Sequence, residues 1–277
     1  MESIKITVLS NNHALEGFET EHGFSLRIET PDHRVLFDTG QHAVFLNNAR
    51  KLGVPVQSTE ILVLSHGHYD HAGGLPALIE RAPAVNVYCH PGVRQARFSV
   101  RDREGKPIGM SASSIAALEG LPADQVHETV RPLELADGLG ITGEIPRLND
   151  YETTGGPFFL DESGRAADPI PDDMAMWMRT PKGLVVVLGC GHAGIINTLD
   201  YIGALTNGAG VHAVIGGFHL VEASRERIDR TVDALEEISP DLLIPCHCTG
   251  DTALLDMQEA FGERLVIGKA GATYTFG

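Results

Sequence analysis

The stretch from Ile61 to Leu75 constrains this chain most, because it joins an apolar run to a cluster of metal-binding side chains. The run from Ile61 to Leu64 predicts a short buried strand, and a helix is predicted to begin near Leu75. Between them lie three imidazoles and one carboxylate: His66, His68, Asp70 and His71. Histidine nitrogen and aspartate oxygen suit zinc or a similar divalent ion. We therefore predict a metal site here rather than a histidine-rich surface loop.

The spacing of these four residues allows for two ions. In an extended turn, His66 and His68 point to the same side and can share one ion, whereas Asp70 and His71 can hold a second. Two metals about 3.5–4 Å apart can bind both the attacking and the leaving oxygen of a hydrolysis. The pattern thus favours a dinuclear hydrolytic centre.

Charge and composition narrow the class of partner. The 277 residues are 43% hydrophobic and carry a formal charge of −16, which argues against nucleic acid or an anionic membrane as partner. No apolar run approaches the about 20 residues of a transmembrane helix. The start lacks a signal-peptide pattern and predicts a strand over Ile4 to Leu9, so the expected location is the cytoplasm. A small-molecule substrate is expected, and bound cations would let it be anionic.

In the second half of the chain, three predicted strands each end in a histidine, namely His192, His219 and His247. Functional groups collect at the carboxyl ends of strands in open α/β sheets, so these histidines are expected to converge on the first cluster. His219 is predicted to contact substrate or donate a proton to the leaving group, and Asp70 to position the nucleophile. A dinuclear zinc site needs about six protein ligands. The six predicted ligands are His66, His68, Asp70, His71, His192 and His247.

The turn Gly189–Gly194 has the G-x-G-x-x-G spacing of dinucleotide-binding proteins. The next strand, over Val211 to Ile215, ends in glycines instead of the acid that would bind a ribose, which disfavours a nicotinamide or flavin enzyme. A glycine-rich turn before a helix can still bind an anion through free N–H groups. We therefore expect His192 to face the metals and the amides of Gly191 and Gly194 to bind an anionic substrate group.

Residues 92–172 have weak periodicity and many Gly, Pro and charged residues. We interpret them as an insertion that covers the active-site mouth within a single domain spanning 1–277. The four arginines Arg94, Arg97, Arg101 and Arg103 either bind an anionic group or form a solvated face.

Two local alternatives stay open. Cys246, His247 and Cys248 could form a structural zinc knuckle with Cys190, or the cysteines could be buried without a role. Asp38 could cap the helix predicted over Ala43 to Leu52.

The motif His66-x-His68-x-Asp70-His71 resembles the signature of the metallo-β-lactamase superfamily. The chain further resembles the branch named for 7,8-dihydropterin-6-methyl-4-(β-D-ribofuranosyl)-aminobenzene-5'-phosphate synthase. The resemblance implies an α/β fold, the four-layer αβ/βα sandwich, with two packed sheets and helices outside. The segments that carry the branch resemblance are Glu21–Ser25, Asp38–Gly40, Ser65–Leu75, Gly189–Gly194, Gly216–Leu220 and His247–Gly250.

The resemblance also assigns supporting roles. It implies that Asp38 holds the metal histidines through hydrogen bonds, and we place Cys190 beside the ligands in a similar supporting role. One departure is that Gly189-Cys190-Gly191-His192 stands where the superfamily has Gly-Asp with a bridging carboxylate. Whether one or two ions bind, and whether Cys190 or His192 reaches the second, stays open.

The expected activity is that of a metal-dependent hydrolase or metal-assisted transferase acting on an ester, a lactone or a phosphorylated small molecule, with a pterin phosphate as one candidate. The expected cofactor is a pair of zinc ions, with manganese or iron as alternatives. A non-catalytic metabolite sensor on the same fold and an iron-containing redox protein are the rival hypotheses.

Overall fold

The computed structural model describes residues 3–277. Residues 1 and 2, at the start for which no signal peptide was predicted, lie outside the described range. Within that range the chain forms sixteen strands. In chain order they are β1 (Ile4–Ser10), β2 (Ser25–Glu29), β3 (Arg34–Phe37), β4 (Ile61–Val63), β5 (Asn86–Cys89), β6 (Phe98–Arg101), β7 (Glu104–Pro107), β8 (Val126–Glu128), β9 (Leu133–Ala136), β10 (Leu139–Ile141), β11 (Phe158–Phe159), β12 (Ala175–Thr180), β13 (Gly183–Leu188), β14 (Val211–Gly217), β15 (Leu242–Cys246) and β16 (Thr273–Phe276).

Seven α-helices lie among these strands in residues 3–277. They are α1 (Val44–Leu52), α2 (Tyr69–Ala72), α3 (Leu75–Arg81), α4 (Ala112–Glu119), α5 (Ile195–Leu205), α6 (Arg225–Ile238) and α7 (Asp251–Phe261). Short 3-10 turns occur at Val56–Ser58, Pro91–Arg94, Ala123–Gln125 and Gly262–Arg264. No helix in this part of the chain has both the length and the apolar character needed to cross a bilayer.

Two large mixed sheets organise the molecule. The first has the order β16-β1-β2-β3-β4-β5-β8, and the second has the order β15-β14-β13-β12-β10-β9. In the first sheet β3, β4, β5 and β8 are parallel neighbours, and in the second β13, β14 and β15 are. Each sheet therefore presents a row of strand carboxyl ends.

The period-two alternation of apolar side chains explains how the layers pack. In β4, Val63 faces the core between the two sheets, whereas Leu62 faces α1 and α3. In β13, Val185 and Val187 face that same inter-sheet core, whereas Val186 faces α5, α6 and α7. The order is therefore helices, sheet, sheet, helices. This confirms the predicted four-layer αβ/βα sandwich.

The predicted insertion over 92–172 is too broad. β8 pairs with β5 in the first sheet, and β9 and β10 extend the second sheet beyond β12. A separate three-stranded sheet in this region, of order β11-β6-β7, borders the site. Weak periodicity concealed these strands because β8, β9 and β10 are only three or four residues long. That 1–277 forms a single domain stays a prediction.

Candidate metal centre

The loop after β4 brings the first cluster together. Nε2 of His66 lies 3.0 Å from Nδ1 of His68. Gly67 is required between them, because a Cβ there would lie 2.0 Å from the carbonyl oxygen of Val93. After His68 the chain forms the helical turn α2, in which the Ala72 amide donates to the His68 carbonyl. The extended turn expected for the whole motif therefore ends at His68, and the turn of helix carries Asp70 and His71.

His192, from the turn after β13, joins this loop. The ligating nitrogens of His66, His68 and His192 all lie within 4.8 Å of one another, and all three side chains are buried. Nε2 of His68 and Nε2 of His192 have no hydrogen-bond partner. Nδ1 of His192 donates to the Thr154 carbonyl at 2.9 Å, which turns Nε2 towards the cluster. Buried nitrogens without partners are expected where an ion binds, so this set fits a divalent cation.

A second set gathers around Asp70. Its Oδ2 lies 3.2 Å from Nε2 of His247 and 4.0 Å from Nε2 of His71. His22, which was not among the predicted site residues, lies 3.1 Å from the same oxygen. Asn12 accepts a hydrogen bond from Nδ1 of His247 at 2.8 Å and orients that ring. His22 belongs to a segment that carries the branch resemblance, which was the available signal for it.

Asp38 supports the cluster and does not cap α1. Its Oδ2 accepts hydrogen bonds at 2.7 Å from Nδ1 of His71 and from the Ser65 hydroxyl. Its Oδ1 accepts the Ser65 amide, also at 2.7 Å. Helix α1 instead has Ala43 at its N-cap, with no side-chain cap hydrogen bond. Asp38 is thus placed to fix the orientation of His71.

The cysteines divide into two environments. Sγ of Cys190 lies 3.1 Å from Nε2 of His71, and Cys248 also lies among the candidate ligands. Cys246 points into the inter-sheet core, where its thiol contacts the Ile244 carbonyl. Among residues 3–277, Cys246 belongs to none of the candidate ligand sets, so the zinc-knuckle alternative with Cys246 is wrong.

His219 lies beside the first set. Its ring centroid is 4.2 Å from that of His192, and its buried Nδ1 has no hydrogen-bond partner. Its backbone is left-handed, with φ of 46°, and His247 has φ of 48°. Such values are uncommon for non-glycine residues and cluster at functional sites. His219 also forms a candidate ligand set with Cys190 and His192, so its position is compatible with either a ligand or an auxiliary role.

A protein carboxylate occupies the start of α5, and the anion-binding role of Gly191 and Gly194 stays a prediction. Glu152 accepts the Ile196 amide at 3.0 Å and the Asn197 amide at 2.8 Å. A Cβ on Gly194 would lie 2.1 Å from Glu152 Oε2. The glycine makes room for this internal cap, and a sequence separation of more than forty residues concealed the partner.

Burial and charge set the protonation of the histidines. Burial and neighbouring imidazoles hold the pKa of His66 well below its usual value, and burial lowers the pKa of His68 to about 3. Both rings are therefore in the neutral form that binds metals. Burial would also lower the pKa of His71, but Asp38 and Asp70 outweigh it and raise that pKa to about 9. Burial opposes ionisation of Asp70, yet His71 and hydrogen bonds from His22 and His247 bring its pKa well below the usual value.

A cavity of about 580 Å³ opens over these residues. Its floor includes His68, Asp70 and His192, and its rim includes Arg101 and Lys106 from the small sheet. The arginines do not share one role. Arg97 is buried in ion pairs with Asp168 and Asp172. Half-buried Arg94 pairs with Glu128 and exposed Arg101 pairs with Glu222, and no contact identifies a role for Arg103.

Known proteins resemble this chain over most of its length. The Metallo-beta-lactamase superfamily model matches residues 20–247. The 7,8-dihydropterin-6-methyl-4-(beta-D-ribofuranosyl)-aminobenzene-5'-phosphate synthase of Methanocaldococcus jannaschii is 30% identical, over 97% of this chain and 96% of that protein. The crystal structure of Tm1679, a metal-dependent hydrolase of the beta-lactamase superfamily, has a TM-score of 0.84 and 32% identity, covering 98% of each chain. Zn(2+)-bound PqqB from Methylobacterium extorquens, at 13% identity and a TM-score of 0.59 over 98% and 99% of the two chains, shares the fold.

These similarities agree with the fold. The matched region includes all the histidines described above, from His22 to His247. The predicted enzyme class, a hydrolase or related synthase of this group, is confirmed at that level. The chain belongs to the metallo-β-lactamase superfamily.

Proposed function

We propose that this protein is a metal-dependent hydrolase or metal-assisted transferase that acts on a small ester, lactone or phosphorylated molecule. The observation that carries the proposal is the convergence of His66, His68 and His192, with two unpaired nitrogens, beneath the cavity. A volume of about 580 Å³ suits a small molecule.

The donor set fits a pair of divalent ions. In this proposal His66, His68 and His192 hold one ion, while Asp70, His71 and His247 contribute to the second position. Zinc is the proposed metal, and nitrogen and oxygen donors also accept manganese or iron. A bound divalent ion would lower the pKa of a water towards about 7 and polarise the electrophilic group of the substrate.

The chain's own residues would then orient the reactants and move protons. The Asp70 carboxylate, held by hydrogen bonds from His22 and His247, is placed to orient the nucleophile. His219, whose Nδ1 is unpaired, is the proposed proton donor to the leaving group. Residues of the small sheet line one side of the cavity.

An anionic substrate is compatible with the acidic chain because the bound ions would add positive charge at the floor of the cavity. Lys106 lies at the cavity mouth, where Arg101 is paired with Glu222. The similarity to a synthase that is named for a pterin-derived phosphate supports a phosphorylated pterin-like compound as the first substrate to test.

The test is a turnover assay of the metal-loaded protein on a panel of a phosphorylated pterin-like arylamine, phosphodiesters, carboxylic esters and lactones. The proposal predicts turnover of at least one class, loss in His68→Ala, and retention in His42→Ala, which changes an exposed histidine. A protein that binds metal and one of these compounds without turnover would instead be a sensor. Bound iron with visible absorbance that changes on reduction would favour the redox alternative.

A further inference from the structure

Two thiols, those of Cys190 and Cys248, lie within the candidate metal centre, although the six proposed ligands include neither. Both are buried, and Sγ of Cys248 lies 3.5 Å from the Cys190 carbonyl oxygen. Gly217 leaves room for this sulfur, because a Cβ there would lie 2.6 Å from Sγ of Cys248. The ends of β13, β14 and β15 therefore form a space that accommodates both thiols beside the histidines.

Cys190 occupies the centre of the imidazole cluster. Its sulfur belongs to three sets of ligating atoms within 4.8 Å, and no other side chain in residues 3–277 belongs to as many. The three sets are His66–His71–Cys190, Cys190–His192–His219 and Cys190–His247–Cys248. An atom shared between neighbouring sets is where a ligand common to two ions would lie.

Among residues 3–277, the second position lacks a fully buried set of nitrogen and oxygen donors alone. Nε2 of His71 is 4.0 Å from Asp70 Oδ2 but only 3.1 Å from Sγ of Cys190. His247 forms one set with Asp70 and His22, and another with Cys190 and Cys248. The set containing the thiols is fully buried, whereas His22 is exposed.

We propose that cysteine sulfur ligates the second cation. Cys190, His247 and Cys248 bind this ion, and Cys190 also reaches the first position. The inference rests on the proposed function only in requiring that a metal binds. Each thiol would lose its proton to solvent as it becomes a ligand. Tetrahedral zinc, with bonds of about 2.0–2.3 Å, needs ligand atoms roughly 3.3–3.8 Å apart, so only small side-chain shifts are needed.

This arrangement has a consequence for metal choice. Thiolate ligands favour zinc, cobalt or iron, whereas magnesium and manganese prefer oxygen. We therefore expect the second position to fill with zinc or cobalt and to discriminate against manganese. A centre made only of imidazole and carboxylate would discriminate less.

The test is cobalt titration of the full-length, reduced, metal-free protein, followed by absorbance. Ligand-field bands in the visible report that cobalt is bound, and a thiolate-to-cobalt charge-transfer band in the near ultraviolet reports sulfur ligation. Both bands are expected in the wild type. The charge-transfer band should be roughly halved in Cys248→Ser and absent in the double variant Cys190→Ser/Cys248→Ser. Cys246→Ser is the matched control, because that buried thiol faces the core and should leave both bands unchanged.

The outcomes separate this inference from the proposed function. Ligand-field bands without the charge-transfer band in the wild type would contradict sulfur ligation of the second cation and leave the proposed metal-dependent function unaffected. The absence of any cobalt band would contradict both the sulfur ligation and the proposed function. A charge-transfer band that persists in a folded double variant would also overturn the assignment. As a test that needs no variant, X-ray absorption of the zinc-loaded wild type should contain zinc–sulfur scattering at about 2.3 Å, and its absence would contradict the inference.

Discussion

Oδ2 of Asp38 lies 2.7 Å from Nδ1 of His71, with both side chains fully buried at the ends of neighbouring elements. The same oxygen accepts the Ser65 hydroxyl, so one carboxylate links β3, the loop after β4 and α2. His71 is thereby held with Nε2 directed at Cys190. The position of a candidate ligand thus depends on a residue that would touch neither metal nor substrate.

Asp38→Asn is predicted to weaken metal binding by about 10–100-fold, the usual effect of losing a carboxylate behind a ligating histidine. The amide can preserve the volume but cannot carry the negative charge that holds His71. Competition with a chromophoric chelator measures the affinity. Asp137→Asn, at an exposed position, should bind as the wild type does, and an unchanged affinity in Asp38→Asn would contradict the supporting role.

Arg97→Met is predicted to destabilise the fold by about 3–5 kcal/mol, because it leaves buried carboxylates unpaired. Arg97 contacts Asp168 at 2.7 Å and Asp172 at 2.6 Å, and Asp172 also accepts the Gly67 amide in the metal loop. Urea unfolding of the metal-free protein measures the change. Arg165→Met removes an exposed ion pair and should change stability by less than about 1 kcal/mol. Similar small effects for both would show that the buried ion pairs contribute little.

Asp173 predicts a pH dependence of stability in the metal-free protein. Burial raises the pKa of its carboxyl to about 7, although the Ala193 amide donates to it. Between the ordinary aspartate pKa and about 7, the folded state keeps a proton that the unfolded state has lost. The free energy of unfolding should therefore fall as pH rises through this window, by up to about 1.4 kcal/mol per pH unit.

Asp173→Asn should remove this part of the slope, because the amide stays neutral and can still accept from Ala193. Comparison of urea unfolding of the variant and the wild type at pH 4 and pH 8 tests the prediction. The variant should gain stability relative to the wild type as pH rises. Parallel pH profiles would contradict the assignment of the raised pKa to Asp173.

His219→Ala is predicted to keep the bound metal and lose turnover, because the proposed role of His219 is proton donation and not ligation. Metal content and initial rates on the same preparation separate the two roles. Loss of both would place His219 among the ligands, as its proximity to Cys190 and His192 allows.

The sandwich was predicted from the resemblance of the His66–His71 motif to a known superfamily. Apolar runs predicted β4 and β13, and histidines at the ends of β13, β14 and β15 predicted the edge of the sheets where the imidazoles meet. These features depend on local sequence and on the geometry of parallel strands. They can be predicted without knowledge of contacts between distant parts of the chain.

Features that depend on long-range partners were not predictable. Glu152 caps α5 from a loop more than forty residues away in sequence. Arg97 is buried because it forms ion pairs with Asp168 and Asp172, which are distant from it in sequence. In each case the decisive group belongs to another part of the chain.

The central claim is that imidazoles distant in sequence share bound cations, and elemental analysis of His68→Ala beside the wild type tests it most directly. Nε2 of His68 is one of the unpaired buried nitrogens in the first set. With His42→Ala as the folded control, the account predicts divalent metal in the wild type and the control, and loss of most of it in His68→Ala. Full retention of metal by a folded His68→Ala protein would contradict the ligand assignment.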